Sequence, residues 1–134
     1  MLESNDAALI IGDPAMMVDR SALYVYDLAE EWKRHTGLPF VFAFWAVRAE
    51  AATGLRDRGV DFAEARREGL SRASQIAEIY SGALGLPKNE LLAYLTENIH
   101  YDLDPESLRG LNLYYEMARE AGFINQVRDL RFSH

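Results

Sequence analysis

The chain has no cysteine and only four prolines in 134 residues, and no apolar run approaches the length that a membrane-spanning helix needs. The first absence removes disulfide scaffolds, thiolate metal sites and thiol nucleophiles, and the low proline count with nine glycines excludes a Pro/Gly-rich fibrous or low-complexity chain. Basic residues are scarce too: 14 Lys and Arg stand against 21 Asp and Glu, for a formal net charge of −7. That balance argues against a general nucleic-acid or anionic-membrane binder, since both need a basic face. The first residues, Met1-Leu2-Glu3-Ser4-Asn5-Asp6, lack the basic region of a signal peptide, and a cytoplasmic location is the expectation. No Gly-rich phosphate loop, Walker motif or Ser nucleophile elbow occurs.

What is present is 49% hydrophobic residues, enough at this length for one globular domain with a working core. Residues 7–11, Ala-Ala-Leu-Ile-Ile, form an apolar run too short for a helix and closed by the breakers Gly12-Asp13-Pro14. This predicts a strand buried on both faces, as in parallel sheets covered by helices. A short helix then suits Pro14 to Val18, and residues 22–26, Ala-Leu-Tyr-Val-Tyr, suggest a second strand. Asp27 and Glu30 have capping-box spacing, so a helix should start there, stop at Gly37 and be kept from continuing by Pro39. Phe40 to Val47 is the most hydrophobic stretch, with Phe40, Phe42 and Phe44 on one face and Val41, Ala43 and Trp45 on the other. It reads as a strand with no wet side, most of whose aromatics belong in the core.

After residue 48 the periodic patterns are helical. Asp61 and Glu64 make a second capping box, and Phe62, Ala65, Gly69, Ala73, Ile76, Ala77 and Tyr80 recur at helical spacing until Gly82 or Gly85. A shorter helix is expected over Lys88 to Asn98. Asp104-Pro105 is an N-cap followed by a helix-initiating proline, and Leu108, Leu111, Tyr115 and Ala118 define an apolar stripe ending near Gly122.

Candidate chemistry is sparse. His35, His100 and His134 share no metal-ligand spacing and read as surface or structural residues. Glu30 and Arg34 fit an ordinary helix pair, and Arg56, Arg58, Arg66, Arg67 and Arg72 are interleaved with acids, as on a salt-bridged face. Gly12-Asp13 is the most suggestive feature, placed after the first strand and before a Pro-initiated helix. A ligand carboxylate could meet backbone N–H groups there, but by local pattern alone the favoured reading is that Asp13 is simply the cap of that helix.

Two stretches carry a resemblance: Asp6 to Ala15, and Tyr26 to Arg48 with its Trp32-Lys-Arg-His-Thr-Gly-Leu-Pro-Phe-Val-Phe-Ala-Phe-Trp45 core. They are similar to the second half of the menaquinone-biosynthesis family of the futalosine pathway, most closely to its chorismate dehydratase branch. Tyr94-Leu95 and Ile99-His-Tyr-Asp102, ahead of the Leu108 to Gly122 helix, resemble that family's C-terminal helices less specifically.

The resemblance implies an α/β, type II periplasmic-binding-protein-like two-lobed fold, present here only as its C-terminal half, β-rich in the first third and then mostly helical. Residues 1–38 would end the second lobe, and residues 39–134 would supply a crossing strand and helices of the first. The implied reaction is loss of water from chorismate to give an enolpyruvyl-oxy benzoate, with no metal or organic cofactor. Gly12, Asp13, Phe40 and Phe42 are the implied contacts to a small carboxylate substrate, and no catalytic residue carries over. A noncatalytic small-molecule or partner-binding module of the same ancestry is the alternative. Two-sided apolar strands lacking sheet neighbours would expose edges, so self-association, or a chain supplying the missing lobe, is expected.

Overall fold

The computed structural model describes residues 4–57 and 61–131. Its helices begin and end where the local chemistry dictates. The first, α1 (Asp13–Met17), carries Pro14 in its opening turn. In α2 (Leu28–Thr36), the Asp27 carboxylate accepts from the N–H groups of Ala29 at 2.8 Å and Glu30 at 3.2 Å, and Gly37 ends the helix in the left-handed conformation. Then follow α3 (Ala49–Asp57) and α4 (Phe62–Ser71).

The helix expected from residue 61 to about 82 is two helices, because α4 stops at Ser71 and α5 (Ala73–Leu84) starts afresh. The reason is local: Ser71 Oγ donates to the Glu68 carbonyl at 2.8 Å, and Arg72 N–H is shared between the carbonyls of Glu68 and Gly69. Serine hydroxyls that bond back to the preceding turn compete with the helical ladder. Beyond the left-handed Gly85, α6 (Lys88–Ala93) runs into a π-helical turn over Tyr94–Asn98, closed by Ile99 N–H on the Tyr94 carbonyl. Finally α7 (Pro105–Glu120) is capped by Asp104, whose carboxylate accepts from Ser107 N–H at 2.7 Å, and it closes where Phe123 N–H reaches the Ala118 carbonyl.

These elements group into two compact units, Met1–Val25 with Ala63–His100, and Tyr26–Phe62 with Tyr101–His134. In the first, α5 packs on α6 around buried Ala73, Ala77 and Leu91. In the second, the buried residues among those described are Ser107, Gly110 and Leu111, all on α7.

No strand forms among the described residues, which overturns the α/β fold with a β-rich first third. Residues 7–11 and 40–47 lie outside any helix and form no ladder with another described segment; the 22–26 segment begins inside a turn, where Leu23 N–H bonds the Arg20 carbonyl. Just ahead, the Ser21 backbone N–H bonds the Asp19 carboxylate and holds its pKa below the ordinary value. Strand propensity reports how a side chain packs on a pleated, half-buried surface, and it cannot hold a strand without ladder partners. The burial read into these runs fails with it. Leu9 is 69% exposed, Ile11 76%, Phe42 74% and Trp45 81%.

Candidate functional site

The candidate residues fall in different units. Gly12 and Asp13 belong to the first, where Gly12 takes φ 69° and its carbonyl accepts the Ala15 N–H. Gly12, rather than Asp13, is the N-cap of α1; Asp13 is its first residue and makes no capping bond. Only a residue free of a Cβ adopts that φ without strain, and the cap that the sequence pattern offered to Asp13 lies one position earlier. Both residues are exposed.

Phe40 and Phe42 belong to the second unit, and there the side chains do meet. Trp32 on α2 points its ring at Phe40, centroids 5.6 Å apart, and donates its Nε1–H to the Pro39 carbonyl at 3.2 Å. Tyr114 on α7 stands edge-on to both Trp32 (5.9 Å) and Phe40 (5.3 Å). Phe42 stacks edge-on against Phe40 at 4.9 Å, and Tyr115 follows at 6.1 Å from Tyr114. Edge-to-face pairs at these separations are the arrangement that aromatic quadrupoles favour, each worth about 0.5–1.5 kcal/mol beyond area burial. The cluster exists because Gly110 lets Pro39 lie directly on α7.

Phe40 is thus the half-buried centre of an aromatic cluster, and Phe42 and Tyr114 are its exposed rim. A planar, partly apolar ligand could stack on that rim. Tyr114 was missed by sequence reasoning because it lies beside the apolar stripe that Leu111 and Tyr115 define. Its adjacency to Tyr115 was the available signal. Along the same helix, Leu108, Asn112 and Glu116 form one wall of an open groove of about 400 Å³, and Val127 to Leu130 form the other. Leucine and valine there sit among an amide, two carboxylates and a guanidinium, so the groove has no single charge preference.

Elsewhere several charged groups pair with one another. Arg34 pairs with Glu31 instead of Glu30, Arg67 with Glu64, and Arg72 with Glu68 at 2.8 Å. Arg58 and His134 lie outside the described residues, as does the side chain of Arg56. Among the described residues no three His, Asp or Glu side chains gather in a way that could hold a metal ion. No described helix is long and apolar enough to cross a membrane.

Comparison with known proteins places these residues in context. The model of a family described as menaquinone biosynthesis matches residues 1–120. A chorismate dehydratase of Thermus thermophilus is 33% identical over 139 aligned positions, which take in 87% of this chain and 48% of the relative. The chain therefore spans about half of that relative's length. No solved structure matches.

Proposed function

The chain belongs to the menaquinone-biosynthesis family, and we propose that it is part of a chorismate dehydratase working in the cytoplasm. The observation that carries this reading is the 33% identity to a chorismate dehydratase across 87% of the chain. The reaction is a hydro-lyase step. A ring C–H and a neighbouring C–O bond break, a ring C=C forms, and the proton and hydroxyl leave together as water. Aromatisation supplies the driving force, so the protein's task is to hold a dianion in one orientation and to manage one proton.

Within this chain, Phe40 and Phe42 offer an aromatic surface to the substrate ring, and Gly12 with Asp13 offers the open backbone of the α1 start. A formal charge of −7 supplies no general basic field for the substrate's two carboxylates, so local dipoles such as helix starts are the groups expected to meet them. The half-length match also favours a second reading, a noncatalytic module that keeps a small-molecule or partner surface.

The test is chromatographic detection of the enolpyruvyl-oxy benzoate after incubation with chorismate. It is run for the chain alone and for the chain mixed with the portion of the Thermus relative that lies outside the alignment. Product above the uncatalysed control in the mixture, and its decline on Phe42→Ala, supports the dehydratase. A mixture that assembles yet forms no product leaves the noncatalytic module.

A further inference from the structure

The groove beside α7 shares no residue with the surfaces proposed for the dehydration. Gly110 and Tyr114 face Pro39 and Phe40, and at about 3.6 residues per turn Leu108, Asn112 and Glu116 lie on the opposite side of the helix. The second wall, Val127 to Leu130, lies beyond residue 120, where the family match ends. Both walls belong to one compact unit.

The lining is graded. Leu108, Val127 and Leu130 are half-buried, whereas Asn112, Glu116, Arg128 and Asp129 are exposed. An apolar floor with a few polar groups that fix orientation is the usual anatomy of a small-molecule site. None of these four polar side chains makes a hydrogen bond or ion pair with a described residue, while several opposite charges elsewhere do pair, as in Arg72–Glu68 and Arg109–Glu106. Those pairs stand one turn apart on a helix or at its end. Arg128 and Asp129 are consecutive in a segment without helix or turn, and successive side chains of an extended chain point to opposite sides, which keeps the two from neutralising each other.

Unmatched charges of both signs beside an apolar floor select among ligands. An anion meets two carboxylates, a cation leaves Arg128 without a partner, and an uncharged hydrocarbon leaves every charge unmet. A zwitterion answers each group. An ammonium has three N–H donors, and the Glu116 carboxylate, the Asp129 carboxylate and the Asn112 side-chain carbonyl offer three acceptors. A carboxylate takes the planar, bidentate fork of Arg128. An aliphatic side chain is then left for Leu108, Val127 and Leu130.

We infer that this groove binds a free α-amino acid with an aliphatic side chain, and that the occupant ties residues 127–130 to the back of the helix that carries Tyr114. The site goes beyond the dehydratase reading and does not depend on it.

The test adds leucine to the full 134-residue chain and follows the backbone amides by NMR. Saturable shifts are expected at Asn112, Glu116 and residues 127–130, with a dissociation constant of about 1 mM, as suits a site whose charges are exposed. Isoamylamine and isocaproate, which keep the hydrocarbon and one charge each, should bind about tenfold more weakly or worse. Arg128→Gln should cost leucine about tenfold and leave isoamylamine unchanged, while Glu116→Gln and Asp129→Asn should weaken both. All three side chains are exposed, so the melting temperature of each free variant should stay within about 2 °C of the parent chain. Three results overturn the inference: no saturable shift at these residues up to about 50 mM leucine, an amine or a carboxylate that binds as tightly as leucine, or leucine binding indifferent to Arg128→Gln. Chorismate takes no part in this readout, so the dehydratase reading stands or falls separately.

Discussion

Gly110 shows how a single missing methyl group sets the second unit. A Cβ at this position would stand 2.2 Å from the Pro39 carbonyl oxygen, a backbone atom with little room to move. In an exposed helix a Gly-to-Ala change stabilises by about 1 kcal/mol, whereas overpacking a closed contact costs about 1–3 kcal/mol. At 2.2 Å the steric clash wins. Gly110→Ala should lower the urea midpoint and loosen the Trp32 to Pro39 contact, seen as a red-shifted tryptophan emission; an unchanged or raised midpoint would contradict the packing. A glycine inside a strong helical pattern was visible in the sequence, and its purpose was not, because Pro39 is 71 residues away in the chain.

At the scale of elements, local chemistry proved most informative. Asp27, Gly37, Asp104 and Gly122 stand where their residue types predict, because caps and left-handed glycines answer to neighbours a few positions away. Asp104→Ala removes the acceptor for Ser107 N–H at the start of the longest described helix, and a loss of about 1 kcal/mol follows from the usual worth of such a cap. Chemical denaturation of that variant checks it, and Asp104→Asn should recover most of the loss. The Ser71 break and the π turn at Tyr94–Asn98 were less legible. Both depend on which carbonyl a side chain or N–H selects among several within reach, and residue spacing does not distinguish them.

For the molecule as a whole, the surplus of negative charge is the strongest influence that composition supplies. The ion pairs Arg72–Glu68, Lys88–Glu78 and Arg109–Glu106 join side chains at least 44% exposed, and such pairs are worth about 0–1 kcal/mol each. Net repulsion among the surplus carboxylates is the larger effect, and salt screens it. The urea midpoint should therefore rise between about 20 mM and about 500 mM sodium chloride, a range over which the screening length shrinks severalfold. A falling midpoint would mean that the exposed pairs matter more than the net charge.

Family, the helix termini at Asp27, Gly37, Asp104 and Gly122, and the acidic balance were determined by the sequence itself, since each depends on residue identity or on neighbours within a turn. Whether Leu9, Ile11, Phe42 and Trp45 are covered was not, because burial is a relation between segments and a strand exists only with the partner that completes its hydrogen bonds. Hydrophobicity announced that these residues should be buried; tertiary structure decided that nothing among the described residues buries them. The tertiary structure also selected Tyr114 and Gly110, which sequence spacing passed over, because Pro39 and Phe40 meet them only once α7 has folded against the end of α2.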